Sequence, residues 1–265
     1  MAETVAGGTL TTIVHAVGGP SGAAPVVLLH GFGADRLSWS ANTPALTPAF
    51  QVFAVDLPGH GAAPAAPDGG TITMAALADS VAAALTGVVP RPFHLVGHSL
   101  GGAVALVLAD RNPADIRSLA LIAPAGLGVA INPAFARGFA TLEDPDAAKR
   151  LLETLVTRPR LINDQMVAHV LRHLAVPGVQ RTLAAIGEVL LSEDAAMAET
   201  AMGVVDGDLP RLTLWGAQDR INPLQPTRLE RFGGEQMILP DAGHMPHVES
   251  LQRVNRQLGA FLAAH

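Results

Sequence analysis

The sequence predicts an α/β protein with a mostly parallel sheet, because short apolar runs alternate with amphipathic helical stretches. The runs are almost wholly apolar, which is typical of strands buried on both faces of a parallel sheet. In chain order they cover residues 26–29, 52–55, 93–96, 119–122, 212–215 and 237–239. A strand-like alternation at residues 9–14 follows Gly7 and Gly8. We therefore expect the chain to begin with a small hairpin.

Helical patterns fill the gaps between these runs. Thr73 is placed to cap a helix whose apolar residues recur at three- and four-residue spacing up to Leu85. A second helix is expected at about 99–110, and an amphipathic helix closes the chain from residue 251. Between residues 127 and 209 prolines punctuate several helical patterns and no strand is evident. We expect a helical cap at 127–209, inserted between core parts at 1–126 and 210–265.

Composition limits the classes of function. The 265 residues are 49% hydrophobic and 15% charged, as in a packed globular protein. A net charge of −6, without any basic run, argues against a nucleic-acid partner. The absence of cysteine excludes disulfides, thiolate metal sites and a cysteine nucleophile.

The expected setting is cytoplasmic and away from membranes. Residues 1–10 lack the positive start of a signal peptide. No apolar stretch approaches the ~20 residues that span a bilayer. We expect a monomer or homodimer that acts on a small-molecule substrate with no cofactor and no metal.

A nucleophilic serine is predicted where the strand at 93–96 runs into G-H-S-L-G at residues 97–101 and a helix follows. The G-x-S-x-G pattern in a strand–turn–helix setting indicates a serine lifted above the sheet on a sharp, strained turn. Side chains at Gly97 and Gly101 would collide with neighbouring backbone there. Ser99 is therefore the candidate nucleophile, and the alternative is an idle serine in a glycine-rich turn.

Two backbone N–H groups are candidates for the oxyanion hole that acyl transfer requires. One belongs to Leu100, the residue after the nucleophile. The other belongs to Phe32 in the sequence H-G-F-G at residues 30–33, where glycines let the backbone approach closely. His30 is expected to hold the backbone of this loop.

Asp219 and His244 are the candidate acid and base, because a serine hydroxyl needs a base and the base needs an orienting carboxylate. Each lies just beyond the C-terminal end of a predicted strand, the edge at which Ser99 also lies. His247 is the rival base, and Asp241 is interpreted as a turn former. His169 and His173 could share a helix face but do not form a zinc-protease pattern.

Together these motifs resemble the α/β-hydrolase superfamily over essentially the whole chain. The resemblance also includes D-L-P-G-H-G at 56–61, W-G-A-Q-D-R at 215–220 and A-G-H-M-P-H-V-E at 242–249. It implies an eight-stranded, mostly parallel sheet with the helical cap after the sixth strand. Residues 97–105, 121–128 and 131–135 look like the hydrolase-like domain of acetoin dehydrogenase acyltransferase subunits. More loosely, the chain is similar to carbon–carbon bond hydrolases that act on ring-cleavage products.

Three functions are open at this point. The first is hydrolysis of a small or medium carboxylic ester through an acyl-enzyme. The second is carbon–carbon hydrolysis of a vinylogous diketone by the same triad. The third is a ligand-binding protein that keeps the scaffold without catalysis. Ser99 excludes the family members that use an aspartate nucleophile.

Overall fold

A sheet of seven strands organises the protein in this computed structural model, which describes residues 9–265. The strands are β1 (Ile13–Gly18), β2 (Pro25–Leu29), β3 (Gln51–Asp56), β4 (Phe93–His98), β5 (Ile116–Ile122), β6 (Arg211–Gly216) and β7 (Glu235–Leu239). Their order across the sheet is β1-β3-β2-β4-β5-β6-β7. Only β1 pairs antiparallel, with β3, and every other neighbouring pair is parallel. The predicted α/β class with a mostly parallel sheet is confirmed.

The predicted count of eight strands is wrong for the described residues, which contain seven. The stretch at 9–14 forms a strand only from Ile13, because β1 lies at the sheet edge and its polar half-exposed face gives a weak alternation. Gly7 and Gly8, on which the expected hairpin depended, lie outside the described residues. The helices expected after a sixth strand consequently follow β5.

Helices cover both faces of the sheet and also fill the long interval between β5 and β6. They are α1 (Thr43–Leu46), α2 (Met74–Leu85), α3 (Leu100–Arg111), α4 (Pro133–Phe139), α5 (Pro145–Glu153), α6 (Asp164–Leu174), α7 (Val179–Ser192), α8 (Asp194–Gly203), α9 (Pro226–Phe232), α10 (Pro246–Glu249) and α11 (Leu251–Ala264). We call α4 to α8 and their connections the helical segment. Thr73 caps α2 by accepting a hydrogen bond of 3.0 Å from the N–H of Ala76, as expected.

The core has two halves separated by the sheet. Side chains of β2 alternate between them: Val27 and Leu29 join the half that contains α2 and α3. Val26 and Leu28 join the half that contains α11. Since both faces are covered, every residue of this strand is buried, which accounts for its continuous apolar sequence.

Two further features bear on where a ligand could bind. Within residues 9–265 no single helix is long and apolar enough to cross a bilayer, although α6 and α7 together reach that length with a 100° bend between them.

A cavity of about 410 Å³ opens near Ile116 and Pro210. The cavity lies where β5 and β6 begin, whereas Ser99 lies at the opposite end of the parallel strands, where they finish.

Candidate active site

Ser99 occupies a strained turn between β4 and α3. Its backbone has φ 51° and ψ −112°, in a region that residues with side chains rarely adopt. The turn is held by backbone hydrogen bonds: the Ser99 N–H donates to Ile122 at 3.0 Å, and the Ser99 carbonyl accepts from Ala103 at 3.1 Å. These hydrogen bonds hold the strained serine at the carboxyl edge of the sheet, directly before the N-terminus of α3.

The glycines on either side of Ser99 are needed for close packing. A Cβ on Gly97 would lie 2.4 Å from the carbonyl oxygen of Gly101. A Cβ on Gly101 would lie 2.4 Å from the carbonyl oxygen of Leu29. Both contacts are with backbone, which cannot move away without displacing the turn.

Gly97→Ala is expected to destabilise the fold by about 1–3 kcal/mol and to abolish any activity of Ser99, because the new methyl group overpacks the turn. Gly259→Ala is the matched control. Gly259 lies inside α11 with nothing within 4 Å of an added Cβ, so alanine should stabilise by about 0.5–1 kcal/mol. Urea unfolding of both variants measures this. Equal effects of the two substitutions would contradict the packing argument.

Asp219 and His244 meet as a hydrogen-bonded pair at the ends of β6 and β7. His244 Nδ1 lies 2.8 Å from Asp219 Oδ2, and both residues are buried. The other carboxylate oxygen, Oδ1, accepts the N–H groups of Ile221 and Asn222, each at 2.8 Å. Because an ionised carboxylate only accepts, Nδ1 carries the hydrogen and Nε2 is left with its lone pair.

His98 links the loop that carries His244 to the turn that carries Ser99. Its Nε2–H donates to the carbonyl oxygen of His244 at 2.9 Å, and the two rings lie 4.9 Å apart. Within residues 9–265 the Ser99 hydroxyl and His244 Nε2 form no hydrogen bond with each other or with another group, and neither atom is fully enclosed. The structure thus brings the three predicted side chains to one edge of the sheet, with Oγ and Nε2 both left without a hydrogen-bond partner.

The loop after β2 packs against the nucleophile turn. A Cβ on Gly31 would lie 3.3 Å from Ser99 Cβ and 2.6 Å from His98 Nδ1. His30 fixes this loop: Nδ1–H donates to the Gly31 carbonyl at 2.8 Å, and Nε2 accepts from the N–H of Leu57 at 3.0 Å. His60 also holds this loop, because its Nε2 accepts the N–H of Gly33 at 3.0 Å.

The N–H groups of Phe32 and Leu100 have no partner among the hydrogen bonds of the described chain. Leu100 is the first residue of α3, where a helix leaves its N–H groups unsatisfied. Phe32 is nearly buried and its ring packs against Phe135 and Phe139 of α4. The two unpaired donors belong to the two loops that meet at Ser99: Leu100 follows Ser99 directly, and Phe32 follows Gly31, which packs against Ser99.

Burial keeps the surrounding imidazoles neutral. It lowers the pKa of His30, and it lowers the pKa of His60 and of His98 well below the usual value for histidine. In His30 and His60 a second proton would break the hydrogen bond that Nε2 accepts from the N–H of Leu57 or Gly33. The three rings act as neutral supports of the two loops.

His247, the rival base, has a different environment from His244. Its ring packs against Trp39 and His98 at tilted angles, with centroids 4.9 Å and 4.5 Å away, and neither ring nitrogen has a hydrogen-bond partner. Burial lowers the pKa of His247 to about 3. Without a carboxylate to orient it or charge to stabilise its imidazolium, His247 is poorly suited to take a proton. Asp241 is exposed and lies 3.7 Å from Arg253.

Acid should destabilise the protein partly through His247. The unfolded chain binds a proton there below pH about 6.5, whereas the folded chain does so only near pH 3, so this contribution to stability is complete above 6.5 and is lost as pH falls. His247→Leu, of similar volume, should therefore reduce the slope of unfolding free energy against pH by about 1.4 kcal/mol per pH unit near pH 5. Denaturant titrations from pH 4.5 to 7 measure the slope. An unchanged slope would refute a neutral, buried His247.

The remaining candidates of the sequence do not converge on a metal site. His169 Nε2 lies 2.7 Å from Asp35 Oδ2, while His173 Nε2–H donates to the Gly59 carbonyl at 2.9 Å. The two histidines join α6 to separate loops of the core. Within residues 9–265 no cluster of three metal-ligating side chains is found.

Sequence reasoning missed Glu249, although it ends the A-G-H-M-P-H-V-E motif. Its buried carboxylate accepts hydrogen bonds from Gly243 and Thr157. An acidic residue shortly after the candidate base was the available signal. Thr157 offered none, because its contact with Glu249 spans 92 positions of the chain.

The fold and these motifs place the chain in a known family. A model of the Alpha/beta hydrolase family matches residues 26–257, and the chain belongs to this family. An esterase and a dienoate hydrolase are among the relatives and structural neighbours that it resembles.

Particular relatives differ in what their names describe. The chain is 37% identical to the dihydrolipoyllysine-residue acetyltransferase component of the acetoin cleaving system of Pseudomonas putida, over 93% of this chain but 65% of that protein. It is 33% identical to a pimeloyl-[acyl-carrier protein] methyl ester esterase of Neisseria meningitidis, over 89% of this chain and 94% of the esterase. A solved structure of 2-hydroxy-6-oxo-6-phenylhexa-2,4-dienoate hydrolase from Rhodococcus sp. strain RHA1 superposes with a TM-score of 0.85 at 25% identity, covering 97% of this chain and 96% of that one.

Proposed function

We propose that the protein is a serine hydrolase that cleaves a small or medium carboxylic ester through an acyl-enzyme. The observation that carries this proposal is the Asp219–His244 hydrogen bond, which leaves Nε2 as a free base at the sheet edge occupied by Ser99. The strained serine turn and the two unpaired N–H groups beside it add support. The similarity to a methyl ester esterase along most of both chains points to the same chemistry.

The reaction proceeds in two halves. In the first, His244 Nε2 removes the proton of Ser99 Oγ as Oγ attacks the ester carbonyl, and Asp219 stabilises the imidazolium. The N–H groups of Phe32 and Leu100 stabilise the oxyanion, and the proton on Nε2 passes to the departing alkoxide, which leaves as the alcohol. In the second half, His244 takes a proton from water as the water attacks the acyl-enzyme carbonyl. The bond from carbonyl carbon to Ser99 Oγ then breaks, His244 returns the proton to Oγ, and the acid is released.

We propose that the helical segment controls the access of substrate to Ser99 and His244. Ser99 and His244 are only 4% and 2% exposed, so a substrate must displace something to reach them. Phe135 and Phe139 of α4 contact Phe32 directly. We therefore propose that residues 127–209 act as a cap, with residues 1–126 and 210–265 forming the core, and that these apolar rings limit the size of the acyl group.

A second candidate is carbon–carbon hydrolysis, favoured by the likeness to the dienoate hydrolase. Steady-state kinetics on p-nitrophenyl and methyl esters of increasing acyl length, compared with a vinylogous diketone, distinguish the two. The proposal expects kcat/KM for the best ester to exceed that for the diketone by at least about tenfold, a difference of ~1.4 kcal/mol. The reverse preference would replace the first function by the second. Turnover of neither, with no labelling of Ser99 by a fluorophosphonate, would favour a non-catalytic binding protein.

A further inference from the structure

Glu249 directs a buried carboxylate back toward the loop that carries His244. One oxygen, Oε1, accepts the N–H of Gly243 at 2.6 Å. The other, Oε2, accepts both the N–H and the hydroxyl of Thr157, at 2.8 Å and 2.5 Å. All three donors are uncharged, and the nearby Arg158 guanidinium donates to the Glu249 backbone carbonyl. The carboxylate therefore joins two pieces of chain that are otherwise far apart in sequence.

The piece of chain that contains Thr157 follows α5 and belongs to the helical segment. Besides the contact through Glu249, it bonds the base loop directly, because the N–H of His244 donates to the Leu155 carbonyl at 2.9 Å. The Thr157 hydroxyl also lies 3.1 Å from the Asp241 carbonyl. A Cβ on Gly243 would lie 3.0 Å from the Leu155 oxygen, which shows how closely the two pieces pack.

His244 is thus supported from two sides, through its ring nitrogen Nδ1 and through its backbone. Asp219 and His98 hold it from the core, while Leu155 and Thr157 hold it from the helical segment, the latter through Glu249. A displacement of residues 155–157 would release the N–H of His244 and would remove both Thr157 hydrogen bonds from Glu249, whose carboxylate also holds the N–H of Gly243. The position of the imidazole consequently depends on the seating of the helical segment.

We infer that Glu249 and Thr157 form a positioning pair that couples the seating of the helical segment to the placement of His244. The inference rests on the proposed function for its effect on turnover. Coupling of this kind means that the base is held most firmly when the segment is closed over Ser99. A misplacement of about 1 Å in a catalytic group can lower a rate by ~100-fold, so a modest loosening is measurable.

The contact geometry supplies selective variants. In Glu249→Gln, either orientation of the amide turns an NH₂ group toward an N–H, that of Gly243 or that of Thr157, so one hydrogen bond becomes a donor–donor contact. Thr157→Val keeps the shape and the N–H but removes the hydroxyl. Thr154→Val is the matched control, because the Thr154 hydroxyl donates to Leu151 within its own turn and does not bond the base loop.

The test combines amide hydrogen exchange with ester kinetics on the full chain. We expect the Gly243 and His244 amides to exchange about 10- to 100-fold faster in Glu249→Gln and by a smaller factor in Thr157→Val. We expect kcat for the best ester to fall by ~10- to 100-fold in Glu249→Gln while KM changes less than about twofold. The double variant should lose no more than Glu249→Gln alone, since both changes break one link.

The outcomes separate this inference from the proposed function. Exchange and kcat in Thr157→Val equal to those in Thr154→Val would overturn the positioning pair, even if Glu249→Gln fails to fold. Faster exchange with unchanged kcat in an active enzyme would also overturn it. If the wild type hydrolyses no ester, the proposed function fails, and the exchange rates at Gly243 and His244 still decide whether the link exists.

Discussion

Ser99→Ala is expected to lower ester turnover by roughly 10⁴- to 10⁶-fold, the range found when a triad nucleophile is removed. The loss is large because no other hydroxyl lies on the strained turn between the two unpaired N–H groups. Steady-state kinetics with active-site titration measures it, and circular dichroism should give an unchanged fold because alanine adopts the same backbone as serine.

Ser118→Ala is the matched control for the nucleophile. Ser118 is equally buried in the neighbouring strand, but its hydroxyl bonds His94 Nδ1 at 2.8 Å, away from the turn. This variant should keep its turnover per folded molecule. If Ser99→Ala retained more than a few per cent of wild-type turnover, the assignment of the nucleophile would be wrong.

Asp219→Asn is expected to lower kcat by about 10⁴-fold without unfolding the protein. Two backbone N–H groups bind Oδ1, so the asparagine must keep its oxygen there and turn its NH₂ toward His244. His244 Nδ1 must then accept, which puts the hydrogen on Nε2, where it cannot take the proton of Ser99. The structure therefore predicts a change of tautomer and not merely the loss of a charge.

Nitrogen NMR of the His244 ring measures the tautomer, and kinetics measure the rate. Asp241→Asn is the control, because Asp241 is exposed and does not contact His244. We expect it to behave as the wild type. An Asp219→Asn enzyme with more than a tenth of normal kcat, or a larger loss in Asp241→Asn, would contradict the assignment of the acid.

The central strands were predictable because two covered faces leave a continuous apolar sequence. β2 and β4 match their predicted positions to within two residues at each end. β1 was located less well: it forms at Ile13–Gly18 and not at 9–14, because it lies at a sheet edge and none of its residues is fully buried. Edge strands keep only one buried face, or less, and their sequence pattern is correspondingly weak.

The candidate site was predictable for a related reason. In a parallel sheet the residues that follow the strands lie along one edge, so Ser99, Asp219 and His244 could be grouped without knowing any distance. The contact of Glu249 with Thr157 could not be found this way, because it depends on how the helical segment packs on the core. The size of the space around Ser99 depends on the same packing and has no local signature.

A single measurement tests the central claim, which is that Ser99 is activated by His244 at this edge of the sheet. Folded protein is treated with a fluorophosphonate, its mass is measured intact, and the labelled peptide is sequenced. The account predicts one label per chain, on Ser99, absent in Ser99→Ala and formed much more slowly in Asp219→Asn. A folded wild type that takes up no label, or takes it up on another residue, would contradict the account.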